Sequence, residues 1–402
     1  MSSGHFFKKN TERLQSIRGR FFQYYLSIKS TTFFMQNKFQ KSFVLYILLL
    51  FSFRIDEKKL QEKLVAPPPA WMEEQIQEDL AKFKGTGITF AMIERTMQEV
   101  DALPHGYAAR FVLYSFHNNV LSCTSPHESL AAAEVTHFMA FLQEAARFVT
   151  FPDIDFLLST WDCYDNPTYL EHTFCPVFCI SKMEGNTKVA LIPWLFYYDY
   201  KQRQMEEVYA ASNKSPWDLK TPIALWRGVT SGNYYPWYEW DFKVRPRLVL
   251  FSKERPDLLD AAFTGIHFID DKLKALFEEY DFFRPYTHPA IQLHHKYLVA
   301  ADGNAFPGSF QWQLLSNSVV LRHPSPFSEW FYKALQPYVH YVPYAQDMSD
   351  FEDVLIWLRA HDKEAKTIAD TATTFAINHL MIEDVIVYYY RLFQAYAALY
   401  RH

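Results

Sequence analysis

Asp162 and Asp165 stand in Thr160-Trp-Asp-Cys-Tyr-Asp165, directly after the apolar run Phe151–Ser159. A carboxylate at the carboxyl end of a buried strand faces the ligand crevice of an α/β sheet, where it can take a proton from a hydroxyl. The plainer alternative is a post-strand Asp that caps the next turn. Trp226-Arg227-Gly228-Val-Thr-Ser-Gly232 follows a second apolar stretch. An Arg fork beside a hydroxyl-bearing turn that includes Thr230 can clamp phosphate; an ordinary turn is the other reading. Asp302-Gly-Asn-Ala-Phe-Pro-Gly-Ser-Phe310 opens a helix after a strand. Free N–H groups there suit a diphosphate, and a plain strand-to-helix loop is the alternative.

Other constellations are weaker. His172, Cys175 and Cys179, with Cys163 nearby, contain zinc-ligand types, but their spacing matches no common finger. Asp153-Ile-Asp155 is formally D-x-D, yet it opens a hydrophobic strand and reads as a strand edge. His288, His294 and His295 read as ordinary hydrogen-bonding histidines. The pattern around Gly228 is not a Walker loop, and there is no G-x-S-x-G or His-Glu-x-x-His.

The elements that must position these groups alternate. Helices are expected over Trp71–Phe83, Ile88–Val100 and Ser129–Phe148, and strands over Phe151–Ser159, Val177–Ser181 and Val189–Ile192. Leu225-Trp226 reads as a strand entering a turn at Arg227-Gly228, and Leu248–Phe251 as helix or strand. Further on, strands at Tyr297–Ala301, Ser318–Leu321 and His340–Pro343 alternate with helices at Gln311–Ser316 and Trp330–Leu335. Phe351–Arg359, Lys363–Phe375 and Asp384–Tyr400 are expected as closing helices. Strands alternating with helices mean α/β with parallel sheets, and the length after Ala66-Pro-Pro-Pro69 suits two such units with a cleft between them.

The 402 residues are 49% apolar and 18% aromatic, which rules out global disorder. The net charge of −5 argues against a general nucleic-acid binder. Residues 1–50 carry eight Lys/Arg against the single acid Glu12, so a basic arm precedes a body of charge −12. Its apolar run Ser42–Phe53 is shorter than the roughly 20 residues of a spanning helix. It reads as a buried or interfacial helix, next as part of a peripheral contact with anionic lipid, and last as an anchor. Four cysteines fit reduced thiols.

The motifs together resemble glycosyltransferase family 90, which includes protein O-glucosyltransferases and capsule-associated and lipopolysaccharide-modifying enzymes. The matching stretches are Gln75–Leu80, Pro152–Phe156, Pro176-Val-Phe with Ser181-Lys182, Trp226-Arg227-Gly228, Lys296-Tyr-Leu with Asp302-Gly, Ser316–Leu321, Glu329–Tyr332, Leu335–Pro343 and Asn378-His-Leu380. They cover about residues 70–400.

The resemblance implies a GT-B-like α/β architecture, two Rossmann-like domains facing a central cleft; the extra N-terminal helical arm lies outside it. Expected boundaries are 1–65 for the arm, 66–215 for the acceptor-side domain, onto which the C-terminal helix can pack back, and 216–402 for the nucleotide-sugar domain. It implies inverting transfer of glucose or xylose from a UDP-sugar to a hydroxyl of a glycan, a lipopolysaccharide or capsule precursor or a protein Ser, with no cofactor and no metal. Asp162 falls on the position of the base; Arg227, Thr230, Asn304, Ala305, Phe306, Pro307, Gly308, Ser309 and Glu329 on the donor side; Lys182 and Trp194 on the acceptor side. Animal relatives end the diphosphate loop with an Arg where this chain has Ser309; Arg322 or Lys296 could supply the missing charge. A non-catalytic carbohydrate-binding or membrane-associated scaffold is the alternative. No nucleic-acid partner is expected. The expected location is cytoplasmic, peripheral at the inner membrane face, or else the secretory lumen with residues 42–53 as anchor.

Overall fold

The computed structural model describes residues 55–124, 132–163, 172–194, 198–232 and 239–401. The arm up to residue 54, with its apolar run, and Asp165 lie outside the described residues. After a short β1 (Ile88–Thr89), the N-terminal half contains β2 (Phe111–His117), β3 (Val120–Thr124), β4 (Ile154–Ser159), β5 (Val177–Cys179), β6 (Lys182–Met183) and β7 (Val189–Leu191). Its sheet has the order β3-β2-β4-β5-β7. The parallel part, β4-β5-β7, matches the expectation. The antiparallel hairpin β2-β3, paired antiparallel to β4, differs from it. Asn118 and Asn119 turn that hairpin with φ of 51° and 61°, the left-handed pair that a tight hairpin turn needs and that Asn tolerates. Asn119 also donates to Ala146 and Val149 carbonyls and accepts from the Phe151 N–H, which fixes the entry to β4.

The C-terminal half contains β8 (Thr221–Val229), β9 (Leu259–Gly265), β10 (His295–Ala300), β11 (Val319–Arg322), β12 (Phe327–Ser328) and β13 (Val342–Pro343), and β14 (Tyr400–Arg401) closes back on β1. Its sheet, β13-β11-β10-β8-β9, is parallel throughout. Strand order therefore reverses between β8 and β10, the place where open α/β sheets bind ligands at their carboxyl ends. β8 runs on through Arg227 and Gly228 to Val229, so the turn starts later than expected. Residues 248–251 are helical within Val244–Glu254, and β9 was not expected at all. Trp330–Leu335 holds only the 3₁₀ turn Tyr332–Ala334.

One core fills the N-terminal half and reaches one face of the C-terminal sheet through Leu225, Leu298 and Val320. A second core covers the other face, with Tyr297, Val299 and Leu321 against Phe277 and Leu358. The alternation along β10 is the period-2 pattern of a strand buried on both sides. The terminal helix Ile382–Ala397 returns to the N-terminal sheet: Phe393 stacks on Phe178 at 5.8 Å, and the Tyr389 and Tyr396 hydroxyls donate to the carbonyls of Pro193 and Asp155. Helix Glu57–Val65 also belongs to this body, although the sequence reading put it in the arm. Leu60 is fully buried, and Lys63 pairs with Asp384 at 2.6 Å.

Candidate active site

β4, β5 and β7 are parallel, so the residues after them emerge at one end of the N-terminal sheet. These are Asp162, Ser181-Lys182 and Trp194. The loops after β8, β10 and β11 emerge at one end of the other sheet: Thr230–Gly232, Ala301–Ser309 and His323–Glu329. Two contacts bring these ends together. Trp194 meets Phe306 edge-on at 5.7 Å, and β6 pairs with β12, Lys182 opposite Ser328. The Ser181 hydroxyl donates to the Asp162 carbonyl at 2.5 Å. A short path, from the Asp162 carbonyl through the Ser181 hydroxyl and the Lys182 backbone to Ser328-Glu329, thus links the two sheet ends.

The Asp162 loop is held from several sides. The Thr160 N–H donates to the Arg110 carbonyl, and the Cys179 thiol to the Trp161 carbonyl. The Trp161 ring lies 5.7 Å from Tyr107 and under the Arg110 guanidinium at 5.2 Å. Asp162 is exposed, yet neighbouring protein groups approach its carboxyl closely enough to desolvate it. Desolvation pushes that carboxyl above the ordinary carboxylate range; Arg110 pulls it down and Glu134 pushes it up. Arg110 and Glu134 are themselves 3.8 Å apart.

On the facing wall, Asn304 accepts from the Gly232 N–H at 3.0 Å and joins the loops after β8 and β10. Arg245 staples the same loops. It donates to the carbonyls of Val229, Ala301 and Asp302 and to the Ser231 hydroxyl. A Cβ on Gly303 would come within 2.8 Å of that guanidinium, so a larger residue there would have to displace the Arg245 staple. Sequence reasoning missed Arg245, which carries no motif of its own. Ala305, Phe306 and Pro307 are buried, while Gly308 and Ser309 are half-buried before the short helix Phe310–Leu314. Glu329 is 4% exposed. Burial, with the Glu329 charge behind it, raises the Tyr332 phenol far above its usual range.

Three expected ligand groups are engaged within the protein. The Arg227 fork turns back along the sheet, away from the crevice, to the Asp260 carboxylate at 2.7 Å and to the carbonyls of Trp226 and Asp260. The Thr230 hydroxyl is fully buried and exchanges hydrogen bonds with the His267 backbone. Lys182 is buried against Asp79 at 2.5 Å. Lys296 lies at the amino end of β10, paired with Asp362, and is therefore remote from Ser309. Arg322 is different. It ends β11, and its guanidinium lies 5.1 Å from the ring of Phe310, the neighbour of Ser309, and 4.3 Å from that of Tyr332. Its buried Nε has no hydrogen-bond partner among the described residues. Arg322 borders a cavity of about 350 Å³ at the seam, shared with Glu78, Lys182, Tyr332 and Lys333. Among the described residues no group of three or more His, Cys, Asp or Glu gathers as metal ligands. Asp155 is bonded to the hydroxyls of Ser115 and Tyr400, and none of the four cysteines forms a disulfide.

Comparison with known proteins adds a family. The profile described as Glycosyl transferase family 90 matches residues 69–402. Protein O-glucosyltransferase 2 of Danio rerio is 32% identical over 65% of this chain and 50% of its own length. Protein O-glucosyltransferase 3 of Mus musculus is 31% identical over 65% of this chain and 51% of its own length. O-glucosyltransferase rumi of Drosophila pseudoobscura pseudoobscura is 25% identical over 81% and 76%. The chain thus spans about half the length of the first two relatives. Among solved structures, Anabaena HepE in complex with UDP and glucose superposes on 45% of this chain and 50% of its own at 10% identity, with a TM-score of 0.31.

Proposed function

Because the chain belongs to glycosyl transferase family 90, we propose that its crevice transfers a hexose, glucose first among the candidates, from a UDP-sugar to an acceptor hydroxyl with inversion. The observation that carries this reading is Asp162, a surface-accessible carboxylate at a strand's carboxyl end whose proton affinity is raised by its surroundings. Inversion in one step needs a single base to take the hydroxyl proton as that oxygen attacks the anomeric carbon from the face opposite the leaving group. Raised basicity suits that task. The departing diphosphate needs positive charge, and Arg322, beside the Phe310 ring and bordering the seam cavity, is the candidate to supply it. Glu329 stands on that wall as a hydrogen-bond acceptor for a ribose, and the Trp194–Phe306 pair offers an apolar face to a sugar ring. A protein hydroxyl is the acceptor class suggested by the relatives' names.

Incubation with a panel of UDP-sugars and measurement of UDP release is the test. UDP release from one sugar that disappears in Asp162→Asn supports the reading; full turnover in that variant overturns it. A second reading, a sugar-binding protein without turnover, is favoured by the internal engagement of Arg227, Thr230 and Lys182. UDP binding without turnover of any sugar would select it.

A further inference from the structure

We propose that His323 is a positioning residue for the donor-side wall of the crevice, a clasp that holds the loop after β10 while its ring is neutral and releases it when one proton enters between that ring and the Asp302 carboxyl. Its effect on sugar transfer rests on the reading of this wall as the donor side; the clasp itself does not.

β10 and β11 are parallel neighbours, with Ala300 opposite Arg322. Asp302 and His323 therefore leave the sheet side by side. His323 is 3% exposed. Its Nδ1 lies 2.7 Å from the Pro324 carbonyl, which can only accept, so Nδ1 carries the ring proton. Nε2 is then a lone pair, and it accepts from the Asp302 N–H at 3.2 Å. The Asp302 carbonyl in turn accepts from Arg245 at 2.7 Å. Asp302 is thus held on both sides of its backbone, just before Asn304 takes the Gly232 N–H.

The same ring nitrogen faces a second partner. Asp302 Oδ1 is buried, has no hydrogen-bond partner among the described residues, and lies 4.0 Å from Nε2. While the ring is neutral, two acceptors face each other there. A proton between them, on either atom, makes a bond that satisfies Oδ1 and takes the lone pair away from the Asp302 N–H. The groups packed around the pair are Arg322 on β11, Arg245 on helix Val244–Glu254, the Ser325 hydroxyl, and Tyr344, whose ring lies 5.8 Å from that of His323. Desolvation lowers the ring's proton affinity, the Asp302 charge opposes it, and Arg322 and Arg245 lower it further. Desolvation raises the proton affinity of the carboxyl. The clasp is therefore closed near neutral pH and opens on acidification.

The test is hydrogen exchange of the full chain, read around Asp302 by mass spectrometry at about pH 7.5 and about pH 5 and corrected for the intrinsic rate, with UDP calorimetry at both. Acid should lower wild-type protection of that segment about fivefold. In His323→Gln the amide oxygen accepts from the Asp302 N–H and does not titrate, so protection should stay level; His323→Leu, with no acceptor, should lack it at both pH values. The ratio of wild-type to His323→Gln affinity for UDP, which cancels the nucleotide's own titration, should fall about fivefold in acid. Protection that stays level in the wild type, or falls equally in His323→Gln, overturns the proposal. So does a ratio that rises in acid, because a proton that only removed negative charge would tighten nucleotide binding. If neither chain binds UDP while protection behaves as expected, the clasp stands and the donor reading falls.

Discussion

Asp162 titrates between two neighbours of opposite sign, and the sign of each predicts a shift. Its carboxyl is raised by desolvation, lowered by Arg110 and raised by Glu134. In the proposed role of base Asp162 must be ionised, so activity should fall as the pH drops through this raised value. Glu134→Gln removes a repulsion and should move the acid limb of kcat/KM down; Arg110→Gln removes an attraction and should move it up, each by up to about one pH unit. Asp162→Asn should lower kcat about 10²–10⁴-fold with the fold retained. Acid limbs that stay put in both neighbour variants would place the titrating group elsewhere.

Two elements carry strain or anchorage of their own. At the start of β8, Lys220 is 4% exposed and donates to the Ser316 carbonyl and the Ser318 hydroxyl. Burial pushes its amine down to about 7. From there to about pH 10.5 the unfolded chain holds a proton the folded chain lacks, so stability rises with pH, at most about 1.4 kcal/mol per unit. Below that window the whole penalty is present. Lys220→Met should flatten the slope between urea midpoints at pH 7 and about pH 9.5, with its largest gain near neutrality. The terminal helix Ile382–Ala397 is the second case. Tyr389→Phe strands the Pro193 carbonyl, which loses its Tyr389 donor, and should cost about 1–3 kcal/mol. Phe393→Ala opens a cavity among Phe116, Phe156 and Phe178 and should cost about 3–5 kcal/mol. Chemical denaturation measures both.

For the molecule as a whole, the seam between the two sheets depends on a buried charge. Asp79 is fully buried; it accepts from Lys182 and Gln75 on one oxygen and from the Leu191 N–H on the other. This ties helix Ala70–Leu80 to β6 and β7, and β6 carries the pairing to β12. Desolvation raises the Asp79 carboxyl, with Lys182 opposing. Lys182→Met should therefore destabilise by about 3–5 kcal/mol, because it leaves a buried carboxylate uncompensated. Adding Asp79→Asn should recover part of that loss in the same denaturation measurement. A double variant no more stable than the single one would mean that packing, not charge, holds the seam.

The sequence by itself determined the alternation of strands and helices after Ala70, the family pattern, and the post-strand position of Asp162. These are local: hydrophobic period, turn residues and motif order need no knowledge of distant partners. The hairpin β2-β3 was also locally written, in alternating side chains around Asn118-Asn119, but was not read there. Only the tertiary structure decided which cations face the crevice. Arg227 found Asp260 across a neighbouring strand, Lys182 found Asp79 on a helix, and Arg245 joined two strand ends. Arg322 stands beside Phe310 because β10 and β11 are neighbours in the sheet. A charge pairs with whatever opposite charge or carbonyl the chain's folding brings within a few ångströms, and that neighbour is set by topology, which one-dimensional spacing does not encode.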